Sequence, residues 1–304
     1  MNTPPDLQKG DLIALAAPAS SIRSEQLKEA IKVIEQKGYN VRSDIEVLAV
    51  HHQFAGDVTQ RRRHFQQLLD DPDIHAIFCA RGGYGSLQIV DHLDFTGFRK
   101  HPKWVVGYSD ITVLHARILA EGFESLHATM PVNFSHHTAD SLNSLFDSLE
   151  GKPLSYTIAP HPMNRYGQAV GRLIGGNLSM LYSLQGSALF PAYKECILFL
   201  EDVGEYLYHI DRMILSLKRA GLFNQIAGLI IGGFTKMKDT DIPFGQQAYE
   251  IIASQLTDYS FPMIFGFPAG HLDDNRALII GRNMQMSVSP HQVMLKEEAQ
   301  IQKQ

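Results

Sequence analysis

Short apolar runs alternate with segments of helical period through the first half of this 304-residue sequence. The runs "DLIALAAP", "IHAIFCA" and "WVVGY" are almost continuously apolar, whereas "SEQLKEAIKVIEQKG" repeats its apolar residues with helical spacing. Continuously apolar strands between helices are typical of a parallel sheet that helices cover on both faces. The pattern therefore predicts an α/β fold.

The alternation stops at residues 151–168, where prolines are frequent and periodic apolar positions are few. Beyond this stretch short strand-like runs dominate, with fewer helical segments between them. We therefore expect an N-terminal α/β domain at residues 1–150, a linker at 151–168, and a smaller C-terminal α+β domain with a barrel-like sheet at 169–304.

Composition and charge argue against several classes of function. The net charge is −5, from 27 basic and 32 acidic residues, so no basic field favours nucleic acid. No apolar run approaches the length of a membrane span, and "MNTPPDLQKGD" lacks the basic and apolar regions of an export signal. We expect a cytoplasmic protein without nucleic-acid or membrane partners. Cys79 and Cys196 lie in apolar runs, and two buried thiols are favoured over a disulfide.

One serine follows a predicted strand at a sharp turn. In "WVVGYSDITVLH" the strand reaches Gly107, and Ser109 then precedes an apolar helical pattern. A strand-to-helix turn of this kind can present a serine nucleophile, although Ile111 stands where the G-x-S-x-G pattern has its second glycine. Serine is also a common helix cap, and this stretch alone favours the cap.

A glycine-rich turn, "RGGYG", follows the neighbouring strand at residues 81–85. Its backbone N–H groups can face an anion, as a phosphate cradle or an oxyanion hole, or its glycines can serve a tight turn alone. The turn lacks the Lys-Ser/Thr ending of a P-loop and the spacing of a dinucleotide fingerprint. No metal-binding motif occurs in the sequence either, so we predict no cofactor and no metal.

A serine nucleophile needs a base and a group that orients the base. His271 lies in "GFPAGHLDDNRA", a loop between predicted strands, where a histidine is either functional or simply solvated. Glu201 ends the apolar run "CILFLE" and is either a site residue or a capping or salt-bridge residue. Cys79 is a rival nucleophile, but its position within a strand favours a buried apolar role.

Six segments occur in an order that resembles the LD-carboxypeptidase family of serine peptidases. They are "APAS", "RGGYGS", "GYSD", "GGNLSML", "FLEDVGEYLYHIDRMI" and "GFPAGH", and the likeness extends from about residue 10 to about residue 290. The resemblance implies a flavodoxin-like or amidotransferase-like N-terminal domain and a C-terminal domain that supplies an acid and a base.

The resemblance also implies a Ser-Glu-His triad, in which Ser109 is the nucleophile, His271 the base and Glu201 the acid that orients the base. The implied substrate is the muropeptide L-Ala-γ-D-Glu-(meso-diaminopimelate)-D-Ala, which loses its terminal D-Ala in cell-wall recycling. The family includes self-immunity peptidases that cleave peptidyl-nucleotide antibiotics, and the triad does not separate the two activities. A non-catalytic peptide- or nucleotide-binding protein is the alternative from another class. A homodimer is expected by resemblance alone.

An oxyanion hole of backbone N–H groups belongs to the same resemblance. It implies Gly83 and Asp110 as the donors, with Gly82 less favoured. An exopeptidase of this kind also needs a cation for a substrate carboxylate. Arg81 and Arg276 lie beside the proposed site loops and are the candidates, although either can instead hold the loops together.

Overall fold

The computed structural model describes residues 1–191 and 194–298. The chain divides into two compact units. The first unit consists of Met1–Lys152 with Asp273–Ile280, and the second of Pro153–Leu272 with Gly281–Gln304. The short segment Asp273–Ile280 therefore belongs to the first unit, although most of the second unit precedes it in the sequence.

The elements are numbered along the chain. The strands are β1 (Leu12–Ala16), β2 (Asn40–Arg42), β3 (Ala76–Cys79), β4 (Trp104–Gly107), β5 (Ser125–His127), β6 (Ser155–Ile158), β7 (Gly167–Asn177), β8 (Cys196–Val203), β9 (Gly228–Thr235), β10 (Met263–Gly270), β11 (Leu278–Ile280), β12 (Asn283–Val288) and β13 (Val293–Glu297). The α-helices are α1 (Ser24–Gln36), α2 (Val58–Asp70), α3 (Thr96–Lys100), α4 (Thr112–Ala120), α5 (Ala139–Leu149), α6 (Leu178–Ser183), α7 (Leu207–Arg219) and α8 (Ala248–Gln255).

The first unit is built on a six-stranded sheet in the order β11-β5-β4-β3-β1-β2. Strands β1 to β5 are parallel and follow the 2-1-3-4-5 order of flavodoxin-like folds, while β11 pairs antiparallel with β5. Both β3 and β4 are buried along their whole length, as continuously apolar strands covered on both faces should be. In such sheets ligands bind beyond the carboxyl ends of the strands.

The second unit is built on a seven-stranded mixed sheet in the order β10-β9-β8-β7-β12-β13-β6. Strands β7 to β10 are parallel, whereas β12, β13 and β6 pair antiparallel, and the sheet curls into a half-barrel. The pairing of β8 with β9 shifts register between Leu200 and Asp202, which marks a bulge at Glu201. The two units confirm the predicted fold class.

Residues 151–168, expected to be a linker, contain β6 and the first residues of β7. Strand β6 lies at the edge of its sheet and pairs with β13, and only one of its four residues is buried. Prolines are tolerated beside an edge strand, because they need not donate to a ladder on both sides. An edge strand of this kind has no continuous apolar run and escapes detection from the sequence.

Both cysteines are free thiols inside the core, as the sequence predicts. Cys79 is completely buried, and this burial raises the pKa of its thiol far above the ordinary value. A thiol in that state is a poor nucleophile. Among the described residues, no helix combines the length and the apolar character needed to cross a membrane.

Candidate active site

Ser109 lies in a strained turn at the carboxyl end of β4. Its φ is 65°, in the left-handed region that few residues other than glycine adopt. The residue opens the 3-10 turn Ser109–Ile111, after which α4 begins. Neither the turn nor α4 has a side-chain cap, so the Ser109 hydroxyl does not cap a helix in the described chain. A strained serine between a strand and a helix is the geometry of a nucleophile elbow.

Gly107 provides the space for this turn. A Cβ atom at Gly107 would lie 2.8 Å from Ile111 Cγ1 and 3.2 Å from Cys79 Cβ, too close for any side chain. Ile111 is fully buried and folds back over the glycine. Packing therefore explains why an isoleucine stands where the G-x-S-x-G pattern has its second glycine. The Ile111 side chain packs closely on the backbone of Gly107, and it is Gly107 that must lack a side chain.

The glycine-rich turn after β3 lies against Ser109. A Cβ atom at Gly82 would lie 3.2 Å from Ser109 Cβ. At Gly83, where φ is 101°, it would lie 2.2 Å from Ser20 Oγ. Gly83 therefore requires glycine, a side chain at Gly82 would press on the serine, and the two turns singled out in the sequence meet at one edge of the sheet.

The backbone N–H groups of Gly83 and Asp110 are available at this edge. Neither donates a hydrogen bond to another group in the part of the chain that the structure describes. The carbonyl oxygen of Gly82, in contrast, accepts a hydrogen bond from the Ser20 N–H at 3.2 Å. Unpaired N–H groups next to a serine hydroxyl are what an oxyanion requires.

The Asp110 carboxylate ties the two turns together. It is buried, and its Oδ2 accepts a hydrogen bond from the Ser86 N–H at 2.8 Å. Burial raises the pKa of Asp110, against hydrogen bonds from Ser86 and Gly85 and the charge of Arg61. The buried Arg61 guanidinium donates to the carbonyls of Pro18 and Gly85 at 2.8 and 2.9 Å. Arg61 was not selected from the sequence, because nothing in "RRR" distinguishes the buried arginine from its neighbours.

The buried His115 ring contacts the carboxyl end of β4. Its Nε2 lies 2.8 Å from the carbonyl oxygen of Gly107, and its Nδ1 lies 2.8 Å from Ser125 Oγ. Burial lowers the pKa of His115 to about 4, so the ring is neutral at physiological pH. The residue is a satisfied core histidine that fixes the strand carrying the serine turn.

The predicted acid and base lie in the second unit, and the structure brings them together. His271 Nδ1 and Glu201 Oε2 are 2.6 Å apart. The Glu201 side chain is fully buried, and its Oε1 has no hydrogen-bond partner among the described residues. The His271 side chain keeps 18% exposure. A carboxylate on Nδ1 fixes the tautomer, with the hydrogen on Nδ1 and the lone pair on Nε2.

Three adjacent strands, β8, β9 and β10, hold this pair in place. A Cβ atom at Gly270, where φ is 100°, would lie 2.6 Å from Glu201 Cβ, so only glycine admits the carboxylate beside the histidine. The Thr235 hydroxyl, at the end of β9, donates to the carbonyl oxygen of His271 at 3.1 Å. The acid–base pair is therefore fixed by the ends of three adjacent strands.

Charges around His271 favour its protonated form. Burial lowers the pKa of His271, but the charge and hydrogen bond of Glu201 and the charge of Asp202 outweigh this effect. The positive charge of Lys236 opposes them, and the net result is a pKa above the ordinary value. A histidine with a raised pKa is a competent proton acceptor.

Asp202 is a second buried carboxylate on β8. It accepts hydrogen bonds from Asn177 Nδ2 at 3.0 Å and from the Ser179 N–H at 2.9 Å. Burial, followed by the charge of Glu201, raises the pKa of Asp202 to about 7. The residue anchors the turn between β7 and α6 to the strand that carries Glu201.

The two arginines proposed as substrate cations differ in their surroundings. The Arg276 guanidinium pairs with Asp274 at 3.0 Å and with Asp140 at 3.2 Å. Arg81 is exposed and donates to the carbonyl oxygen of Ser21 at 3.0 Å. Arg276 thus has the contacts of a residue that holds loops together, whereas Arg81 presents its charge at the surface.

Comparison with known proteins gives matches along most of the chain. Residues 13–128 match the LD-carboxypeptidase N-terminal domain, and residues 170–286 match the LD-carboxypeptidase C-terminal domain. The chain is 32% identical over 299 residues to the probable murein peptide carboxypeptidase of Bacillus subtilis, with 94% of this chain and 92% of that protein covered. It is 24% identical over 330 residues to the microcin C7 self-immunity protein of Escherichia coli, with 96% and 95% covered.

A solved structure agrees with these matches. The muramoyltetrapeptide carboxypeptidase from Oxalobacter formigenes has a TM-score of 0.86 and 28% sequence identity, and the match covers 94% of this chain and 98% of that one. The two-unit α/β fold and the similar sequences define a carboxypeptidase. The chain belongs to the LD-carboxypeptidase family.

Proposed function

We propose that this protein is a serine-type LD-carboxypeptidase that releases terminal D-Ala from a murein tetrapeptide in cell-wall recycling. The observation that carries the proposal is the pairing of a fully buried Glu201 carboxylate with His271 Nδ1 at 2.6 Å. This pair has the composition and geometry of the acid–base part of a Ser-Glu-His triad. The names of two similar proteins, a probable murein peptide carboxypeptidase and a muramoyltetrapeptide carboxypeptidase, support the substrate class.

In the proposed reaction Ser109 Oγ attacks the carbonyl carbon of the LD bond while His271 Nε2 takes the hydroxyl proton. The protonated His271 then gives this proton to the departing D-Ala nitrogen, and water hydrolyses the acyl-enzyme by the reverse proton transfers. Glu201 holds the Nδ1–H and stabilises the imidazolium. The raised pKa of His271 supports this role, because the base must hold a proton between the two transfers.

The developing oxyanion would be held by the N–H groups of Gly83 and Asp110. Each donor of this kind contributes about 3 to 4 kcal/mol to transition-state stabilisation in other hydrolases. The contribution depends on donors that are in place before the reaction, and the Asp110–Ser86 hydrogen bond at 2.8 Å supports such preorganisation.

Mass spectrometry of products from a panel of LD- and LL-linked tetrapeptides tests the proposal. We expect D-Ala to be released from the murein tetrapeptide and no residue to be released from the LL-linked peptide. Ser109→Ala should abolish turnover while changing the free energy of unfolding by less than about 1 kcal/mol, because the side chain is outside the core. Because triad residues act as a unit, S109A/H271A should be no slower than S109A alone.

Two results would contradict this proposal. Undiminished turnover by S109A would exclude Ser109 as the nucleophile. Tight binding of the tetrapeptide without cleavage of any peptide would favour a non-catalytic binding protein instead.

A self-immunity peptidase is the second candidate function. It is supported by the 24% identity to the microcin C7 self-immunity protein over 96% of this chain. The same three residues would then cleave a peptidyl-nucleotide. Expression in a microcin-sensitive bacterium, with S109A as the inactive control, tests this candidate. Protection by the wild type alone, without D-Ala release from the tetrapeptide, would favour it over wall recycling.

The proposed reaction also suggests a location and an assembly. Recycled wall peptides are trimmed inside the cell, so we propose a cytoplasmic protein, which cell fractionation can test. A homodimer is predicted from the family resemblance, and light scattering at several protein concentrations would measure it.

A further inference from the structure

A cavity of about 380 Å³ opens in the second unit, between the segment that follows β9 and the first turn of α8. It is lined by Phe234, Lys236, Met237, Gln247, Ala248 and Tyr249. Two aromatic rings and a methionine make much of the wall apolar, and Lys236 is the only cation among these residues. An apolar wall with one charged group is the usual composition of a small-molecule site.

Lys236 is positioned by an unusual backbone. Its φ is 53°, a left-handed conformation that costs free energy in a residue with a side chain. It directly follows Thr235, whose hydroxyl donates to the carbonyl oxygen of His271 at 3.1 Å. The cavity therefore begins beside the proposed base.

The Lys236 ammonium is exposed and has no hydrogen-bond or ion-pair partner in residues 1–191 and 194–298. Burial is the main effect that lowers the pKa of His271, and the positive charge of Lys236 acts in the same direction. The ammonium is therefore close enough to the imidazole to act on it electrostatically. An unpaired cation beside a proposed catalytic base is available to a substrate anion.

Gln247 and Tyr249, which also line the cavity, make hydrogen bonds of their own. The first turn of α8 is closed by a capping box, in which the Gln247 N–H donates to Glu250 Oε2 at 2.7 Å. The Tyr249 hydroxyl donates to the carbonyl oxygen of Gly232 at 2.8 Å, which leaves its ring as wall. Lys236 is thus the charged group of this lining that can bind an anion.

We propose that the cavity is a substrate subsite in which Lys236 binds a carboxylate of the peptide, while Phe234 and Tyr249 pack against the aliphatic stem that carries the carboxylate. The inference rests on the proposed peptidase function, because the subsite lies beside the proposed base. The carboxylate belongs either to the terminal residue or to the side chain of the residue before it. Both sources present the same chemistry to the ammonium.

Calorimetric titration of S109A, which should bind peptides without cleaving them, tests the subsite. The three probes are the murein tetrapeptide, its C-terminal amide, and a tetrapeptide with lysine in place of diaminopimelate, which lacks the side-chain carboxylate. We expect S109A/K236Q to bind the murein tetrapeptide about tenfold more weakly than S109A, and S109A/K236R to bind within about twofold. Lys238→Gln is the matched control, because Lys238 lies two residues away and stacks on Tyr206 at 5.7 Å, outside the cavity lining.

The probes distinguish the two sources of the carboxylate. If the effect of K236Q disappears with the amide, Lys236 binds the terminal carboxylate; if it disappears with the lysine peptide, Lys236 binds the side-chain carboxylate. Tight tetrapeptide binding that K236Q does not weaken, or that K238Q weakens equally, overturns the subsite and leaves the proposed function standing. An equal loss with all three probes also overturns it. Failure of S109A to bind any probe overturns the proposed substrate and the subsite together.

Discussion

Replacing Glu201 by glutamine keeps the shape of the side chain and removes its charge. In the wild type Glu201 Oε2 lies 2.6 Å from His271 Nδ1, so this nitrogen carries the hydrogen and Nε2 can accept a proton. A glutamine amide can instead donate to Nδ1 and stabilise the opposite tautomer. In that tautomer Nε2 carries a hydrogen and cannot take the proton from Ser109. We therefore expect E201Q to lose kcat while KM changes little.

Serine proteases give a reference for the size of this loss in kcat, and the surroundings of Glu201 show whether it applies here. In serine proteases the equivalent change lowers kcat about 10⁴-fold, which corresponds to about 5 kcal/mol at 1.36 kcal/mol per tenfold. Glu201 is fully buried, and its Oε1 has no partner among the described residues, so no neighbouring group is placed to restore the wild-type tautomer. We expect kcat to fall by about 10³ to 10⁴ in E201Q.

The same substitution moves the pKa of His271 downward. Burial lowers this pKa, Glu201 and Asp202 raise it, and Lys236 lowers it, so loss of the Glu201 charge lets burial dominate. The acid limb of the kcat/KM profile should therefore shift to lower pH. A raised pKa in the folded state stabilises the fold below the unfolded pKa of about 6.5, and this stabilisation disappears as pH rises through the folded pKa. The stability advantage of the wild type over E201Q should accordingly shrink as pH rises.

Steady-state kinetics on the murein tetrapeptide between about pH 5 and pH 9 would measure both effects, across the range in which histidine titrates. Glu205→Gln is a matched control, because Glu205 Oε2 pairs with His209 Nδ1 at the same 2.6 Å but on a partly exposed helix start. E205Q should keep the wild-type kcat. An E201Q enzyme within tenfold of the wild-type kcat, or one whose acid limb moves to higher pH, would refute the reasoning.

Two further predictions each concern one residue, the first in the second unit and the other in the first unit. Gly270→Ala should lower the free energy of unfolding by about 3 kcal/mol and abolish activity, because its Cβ would lie 2.6 Å from Glu201 Cβ at a φ of 100°. Gly204→Ala is the control, because Gly204 also has positive φ but no heavy atom lies within 4 Å of the added Cβ. Urea denaturation should show a smaller loss of stability in this variant, and kinetic assays should show retained activity. Equal losses of stability in the two variants would argue against a clash at Gly270. Asp110→Ala leaves the buried Ser86 N–H unpaired and should cost about 1 to 3 kcal/mol, with a lower kcat. D110N keeps an acceptor for this N–H and should recover most of the lost stability and most of the lost kcat in the same assays. A D110N enzyme as unstable as D110A would contradict this role of the hydrogen bond.

The sequence could predict the parallel sheet because its evidence is local. The runs that became β1, β3 and β4 are apolar along their length, and burial on both faces requires that pattern. The edge strand β6 could not be predicted in the same way, because its residues are mostly exposed and prolines flank it. A three-residue strand such as β11 carries too little pattern of its own, and its pairing with β5 arises only in the folded chain.

The candidate site was predictable residue by residue but not as geometry. The family motifs selected Glu201 and His271, yet their contact spans 70 positions and depends on the β8 bulge and on Gly270. The sequence could not point to the proposed subsite residue Lys236, because "TKMKDTD" contains two similar lysines that only the cavity and the backbone conformation separate. Arg276 was selected for its position next to a motif, which says nothing about the carboxylates that surround it.

Three locally unfavourable features of this chain lie at or beside the proposed site residues. In the described residues, Ser109 and Lys236 are two of four non-glycine residues with positive φ. Lys236 directly follows the carboxyl end of the parallel strand β9, and Ser109 lies two residues beyond the carboxyl end of β4. Glu201 adds a buried carboxylate oxygen without a partner. Each feature costs free energy and persists only because the surrounding packing holds it in place. Ile111 packs against the serine turn at Gly107, and Gly270 makes room for the Glu201 carboxylate. A fold selected for stability alone would remove such costs, and so their position at strand ends favours a catalytic role over a purely structural one.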